Sequence, residues 1–402
     1  MKAATDRHLF TRRIAVGLAG FCAFINLYAP QAILPLLSSE FGASAAQVSS
    51  IITVSTLAVA ITAPFTGTVA DVLGRKRVIV VAMFALVIPT LMAGMAESLS
   101  ALIFWRAVQG LVLPPIFAVT VAYIGDEWSA SEATTAAGIY SSGSSIGGFS
   151  GRLITGFLAD LLGWRAGFDA LALITFVGAI AVAFLLPVER KFVRSEGLMA
   201  SVRQMLAHFR NGQLIATFFV GFGVLFNFIC TFTFVSFHLA APPYNLSASW
   251  LGAIFVVYLT GSVLTPWTGW AINRFGRRRF TVKVIAVWIA GIALTLAPSL
   301  PLIIAGLAIC AACGLICQSI STGYVTITAK AGRSSAVGLY VTSFYLGGSF
   351  GAAIGGVAWT LSGWAACVAL IEIMLLIMAA IVYFAWARHV PGGPTTAPIE
   401  PP

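Results

Sequence analysis

Arg106 lies about seven residues inside an apolar run, near 10 Å deep at about 1.5 Å per helical residue. A guanidinium at that depth is costly unless it faces a cavity or a partner. Its chemistry would be to bind an anionic or polar group, or to sense a proton on a nearby acid. Asn26 and Asn227 stand 201 positions apart, each near the middle of an apolar stretch. They are candidate hydrogen-bonding groups for a solute, with Gln31, Gln109 and His238 adding polar character. Tyr345, with Phe226, Phe228, Phe232, Phe234 and Phe344, offers an aromatic wall. Each polar residue has a plainer reading as an interhelical hydrogen bond. Two carboxylates fall clearly inside apolar stretches, Asp169 and Glu372. Both are candidates to carry a proton, and Asp169 has the alternative of pairing with Arg152 or Arg165. Cys310, Cys313 and Cys317 share a helix face, where packing is the simpler reading than a soft metal. No phosphate loop or metal-spaced histidine cluster is present, so an enzyme is not indicated and no cofactor is expected.

The elements that would position these groups are set by solvent. Only 9% of residues are charged and 59% are hydrophobic, against roughly 25% charged in a soluble domain. Twelve stretches are long enough to cross a bilayer, at about 14–37, 48–70, 78–96, 99–124, 134–158, 165–187, 214–240, 248–271, 280–298, 301–325, 335–360 and 364–387. Backbone groups in hydrocarbon must be satisfied locally, so the stretches are read as helices and the fold as all-α integral membrane. The net charge of +10 does not point to nucleic acid. All but three of the 23 Lys and Arg fall on one face, leaving Glu40, Glu97 and Asp160 with Arg165 on the other. That bias predicts both termini in the cytoplasm of an inner, plasma membrane. The six cysteines lie inside spans, so no disulfide framework is indicated. The charged start runs into a span too long for a cleavable signal, so none is expected.

The chain also repeats itself. Gly67-x-x-x-Asp71-x-x-Gly74-Arg75-Lys76-Arg77 returns as Gly269-x-x-x-Asn273-x-x-Gly276-Arg277-Arg278-Arg279, shifted by 202. Gly138, Tyr140, Gly147, Gly148, Gly151, Gly156, Gly163 and Trp164 all return shifted by 200. Two parallel six-helix halves are therefore expected, 1–188 and 214–390, with a solute site between them near the midplane. The segment 189–213 carries Leu198, Val202, Met205, Leu206 and Phe209 at helical spacing, an amphipathic pattern suited to the membrane surface. Residues 391–402, rich in Pro, Gly and Thr, are expected to be a disordered tail.

With the 67–77 motif, its echo and Arg106-x-x-Gln109-Gly110, the chain resembles the major facilitator superfamily over 12–388. Tyr28-Ala-Pro30-Gln31 and Gly147-Gly148-x-x-Gly151-Arg152 resemble its bacterial efflux branch, similar to the drug:proton antiporters. The resemblance implies a twelve-helix secondary transporter that alternates access to a small amphipathic drug or metabolite and exports it against protons; a complete two-half cavity needs no partner, so a monomer is expected. It also implies gating by Gly67, Asp71, Gly74, Arg75, Arg77, Gly269, Gly276 and Arg277. Asp71 would be held by the helix start near 335 or by a nearby arginine. A proton-linked importer or facilitator of a polar or anionic solute is the alternative, and a membrane sensor without flux is the reading of another class.

Overall fold

The computed structural model describes residues 2–189, 205–329 and 332–386, and every regular element among them is helical. The first half comprises α1 (Lys2–Leu27), α2 (Leu34–Glu40), α3 (Ala45–Leu73), α4 (Arg75–Gly94), α5 (Leu99–Glu127), α6 (Ala130–Leu162) and α7 (Trp164–Leu185). The second comprises α8 (Gly212–Ala240), α9 (Ala248–Phe275), α10 (Arg277–Leu294), α11 (Leu300–Thr328) and α12 (Arg333–Ala385). Among the described residues, nine helices are long and apolar enough to cross a membrane. Two further expected spans fall on the more polar α6, rich in Ser and Gly, and on α10, which opens with three arginines. The last two expected spans are the two arms of α12, parted by non-helical backbone at Ser362 and Gly363. The layout accords with twelve crossings.

Proline and glycine place the breaks. The expected first span, 14–37, is not one helix: α1 stops at Leu27, a 3-10 turn covers Ala29–Ala32, and α2 resumes at Leu34. Pro30 brings no N–H to bond the Asn26 carbonyl, and the helix gives way at Tyr28. α9 is interrupted by 3-10 turns at Phe255–Val257 and at Thr265–Trp267, the second around Pro266. Both copies of the charged motif turn on a glycine at positive φ, Gly74 at 90° and Gly276 at 77°, a conformation that a side chain would strain.

The 200-residue echo is explained by packing. A Cβ on Gly143, Gly147 or Gly151 of α6 would strike the carbonyls of Gly17, Phe21 and Ile25 on α1. Gly347 and Gly351 of α12 meet Phe222 and Phe226 of α8 in the same way. Glycines spaced by four thus clear a groove in which two backbones touch. Between the halves, α6 packs on α9, and α3 packs on α12. Here Gly156 abuts the Ala248 carbonyl, and Gly356 abuts Ala46. We call the end of the bundle that carries Gly74 and Gly276 proximal and the other end distal. The tight contacts between halves are distal.

Most of the expected amphipathic stretch, at 190–204, and the tail 391–402 lie outside the described residues. Past that gap, His208 Nε2 sits 3.2 Å from the Gly332 carbonyl and 3.1 Å from Ser335 Oγ, tying the connecting segment to the start of α12.

Gly147→Ala and Gly347→Ala are expected to lower the melting temperature of the detergent-solubilised protein, as overpacking costs about 1–3 kcal/mol. Gly138→Ala, where a Cβ meets nothing within 4 Å, is expected to leave it unchanged. Equal melting of all three would refute the groove.

Candidate functional site

A cavity of about 290 Å³ lies between the halves, near the lower end of the range for small-molecule sites. Its wall draws on α1, the Tyr28 break, α6, α8, α9, α11 and α12. Much of it is aromatic: Phe24, Tyr28, Tyr140, Phe228, Tyr258 and Phe344. Its polar patches are the hydroxyls of Ser141, Ser144 and Ser145 on one turn of α6, Ser262 and Gln318 across from them, and Arg152. Tyr345 lines it as well and stacks on Phe117 of α5 at 5.7 Å between ring centroids.

Arg152 is the formal charge in this wall. It is 1% exposed, because rings cover its faces: its Cζ lies 4.4 Å from the centroid of Phe255, 4.9 Å from Tyr258 and 5.1 Å from Tyr28. Its Nε and Nη2 both donate to Gln31 Oε1, at 2.9 and 2.6 Å, and its Nη1 donates to the Gly148 carbonyl at 2.6 Å. Gln31 Nε2 in turn donates to Thr233 Oγ1 of α8 at 3.0 Å. A single amide therefore connects the cation of one half to a hydroxyl of the other. Arg152 was legible in principle: it stands eleven residues before the Gly163 turn, about 16 Å along a helix, too deep for a loop charge.

The other groups singled out from sequence are placed as follows. Arg106 is fully buried but does not line the cavity. Its guanidinium caps the broken end of α1, bonding the carbonyls of Asn26 (3.0 Å) and Leu27 (2.5 Å) and Gln109 Oε1 (2.6 Å). Gln109 Nε2 donates to Thr90 Oγ1, which donates to Asn26 Oδ1, while Asn26 Nδ2 donates to Thr175 Oγ1. Asn26, Arg106 and Gln109 thus form one buried network that ties α1 to α4, α5 and α7. Asn227, at the matching position, donates to Met378 Sδ at 3.3 Å, and its Oδ1 has no partner among the described residues. His238 stacks on Trp364 near the distal end. Glu372 is half-buried on the second arm of α12, and Asp169 is exposed on α7; neither lines the cavity. Arg165 bonds Glu40 at 3.2 Å rather than Asp169.

Each end carries a polar contact. Distally, the Asp160 carboxylate accepts from the N–H groups of Ala248 (3.2 Å) and Ser249 (2.9 Å). This caps α9 across the two halves, where the helix dipole favours a negative group. Proximally, Asp71 lies 3.7 Å from Arg75, which pairs with Asp126 at 2.5 Å. Burial raises the Asp71 carboxyl above its ordinary range, Arg75 opposes the rise, and Asp126 adds to it. Glu189 accepts from the N–H groups of Arg75 and Lys76 at the start of α4. In the second copy, Arg277 instead lies 5.3 Å over the ring of Tyr324. Gly67 and Gly269 face open space, and Arg77 is exposed.

Arg106→Ala is expected to destabilise the fold, since each buried acceptor left unpaired costs about 1–3 kcal/mol. Arg106→Lys should recover part of that loss. A melting temperature unchanged in Arg106→Ala would show that the cap contributes nothing.

The family model of the Major Facilitator Superfamily matches residues 16–257 and 217–401. The inner membrane transport protein YnfM of Escherichia coli (strain K12) is 34% identical over 368 residues, covering 90% of this chain and 88% of that protein. An uncharacterized transporter of Buchnera aphidicola subsp. Baizongia pistaciae is 30% identical over 355 residues, 87% of each chain. Among solved structures, a bacterial homolog of the human lysosomal transporter Spinster, in its inward-facing and occupied conformation, superposes with a TM-score of 0.73 at 18% identity. The match covers 93% of this chain and 96% of that one. The match of the family model, the relatives of similar length and the shared fold agree: the chain belongs to the Major Facilitator Superfamily and is a multi-pass membrane transporter rather than an enzyme.

Proposed function

We propose that this transporter carries a small amphipathic organic solute out of the cytoplasm by alternating access, driven by the proton gradient. The observation that carries the reading is the cavity between the halves, with the contacts that join the halves concentrated on its distal side. Ser49 Oγ donates to the Ala352 carbonyl, Thr56 Oγ1 and Ser349 Oγ lie 2.9 Å apart, and Asp160 caps α9. Gly125, Gly138, Gly323 and Gly338, toward the proximal end, face open space. Rocking of 1–188 against 214–390 would part the distal contacts and close the proximal ones, as in transporters built from parallel repeats. The proximal end holds most of the Lys and Arg, which supports a cytoplasmic location for it and for both termini. The two-half cavity is complete in one chain, which supports a monomer.

Export against protons rests on the resemblance to the efflux branch. The second reading is an importer or facilitator of a polar or anionic solute. One observation favours it: the cavity wall carries Arg152 and no Asp or Glu among the described residues. The proton carrier of the first reading would then be a group outside the wall, with half-buried Glu372 as its candidate.

Proteoliposomes holding a pH-sensitive dye separate these readings when solutes are added one at a time. Solute-dependent proton movement is expected, and its direction distinguishes antiport from symport. Solute flux without proton movement would leave a facilitator, and binding without flux would leave a sensor. A second measurement tests the rocking. The pair Thr56→Cys and Ser349→Cys is expected to cross-link on mild oxidation, stop solute flux at least tenfold, and recover in dithiothreitol. Unchanged flux in the cross-linked protein would rule out separation of the halves at this seam.

A further inference from the structure

We infer that the solute is an organic anion, an aromatic or amphipathic body bearing a carboxylate, and that its charged group binds Arg152 by displacing Gln31. This rests on the reading that the cavity is the transport site, and it assigns the solute class and the trigger.

A guanidinium out of water is stabilised by a partner of opposite charge. Among the described residues the ion pairs involve Arg12, Arg75 and Arg165, and Arg152 is in none of them. What Arg152 has instead is neutral: one amide oxygen, one backbone carbonyl and three ring faces. The rings satisfy the faces of the guanidinium but not its donor edge. On that edge, Nε and Nη2 converge on Gln31 Oε1. The fork matches a carboxylate, whose two oxygens would accept both bonds in parallel and set a full opposite charge against the guanidinium where there is now a single neutral oxygen. Gln31 thus occupies, with a neutral oxygen, the place where an anion would bind more tightly.

The remainder of the wall fits the remainder of such a molecule. Phe24, Phe228 and Phe344 provide an apolar surface of aromatic size, and the serine hydroxyls of α6 lie at Ser141, Ser144 and Ser145, away from Arg152 along the same helix. A cationic solute would meet Arg152 with no carboxylate in the wall to offset the repulsion.

Displacement has a second effect. Gln31 also donates to Thr233 across the halves. An anion that takes the fork leaves Gln31 free to swing away and breaks that bond beside the distal seam. Filling the site therefore loosens one of the contacts that holds the seam closed.

The test uses the full chain, purified in detergent, with 2-naphthoate and its uncharged counterpart 2-naphthamide as probes, and calorimetric titration as the readout. Saturable binding of naphthoate is expected, at least tenfold tighter than naphthamide. Arg152→Gln should weaken naphthoate at least tenfold and leave naphthamide unchanged, and Arg152→Lys should fall between. The decisive pair is at Gln31. Gln31→Glu places a carboxylate on the fork and should abolish naphthoate binding, whereas Gln31→Ala removes the competitor and should retain or strengthen it. A purely structural role for Arg152 would not give opposite signs at one position. Equal affinity for the two probes, no saturable naphthoate binding, or unchanged binding in Gln31→Glu would each overturn the assignment. Flux in proteoliposomes keeps the two readings apart. Naphthoate that binds through Arg152 but is not carried leaves the anion site standing and removes the transport reading. Carriage of uncharged or cationic solutes without naphthoate binding does the reverse.

Discussion

A helix that stops short of the membrane face leaves carbonyls with no water to receive them, and this structure is arranged around one such stop. Pro30 ends α1 at Leu27. The carbonyls of Asn26 and Leu27 then need donors, and Arg106 supplies them from α5. With that end held, the following turn places Tyr28 and Gln31 beside Arg152 of α6 and projects Gln31 to Thr233 of the second half. A cap deep in the first half therefore sets the position of the residues that face the cavity. Backbone satisfaction in hydrocarbon is usually met by an unbroken helix; here one side chain does the same for a broken one.

The sequence showed the skeleton clearly. Apolar runs and the bias of basic residues mark out the helices, and the shift of 200 picks out the duplicated glycines that line the backbone contacts. The polar groups were less legible because their roles depend on which helices are neighbours. Arg106 has the depth of a cavity residue, yet its partners are on α1, some eighty positions away in the chain. Arg152 is also deep and does reach the cavity, because the distal part of α6 packs against α9 of the other half. Nothing in the spacing of either arginine separates the two outcomes. The first expected span ran through Pro30 because the run stays apolar, and hydropathy does not register a missing N–H.

The two halves share their packing but not their polar chemistry. The positions matching Arg106 and Gln109 at a shift of 201 are Leu307 and Cys310. In the second half, Asn227 meets a methionine sulfur instead of a hydroxyl network. Around it, Phe228, Phe232, Tyr258 and Trp288 pack ring against ring. Hydrogen-bond networks fix one arrangement through directional contacts, while aromatic clusters hold together by buried area and edge-to-face or offset ring contacts. The first half is thus held by directional polar bonds and the second by ring packing.

The crossed seams carry a consequence for ancestry. α6 meets α9 through Gly156 and Ala248, and the same two elements of the repeat meet again as Gly356 and Ala46. A contact made twice with partners exchanged is the geometry of an isologous dimer. One six-helix chain, paired with its own copy, would have formed both seams from a single gene. Joining the copies freed each seam to change alone. The carboxylate at Asp160, where the matching residue is Thr360, shows that they have: a self-pairing ancestor would carry that cap on both seams or on neither.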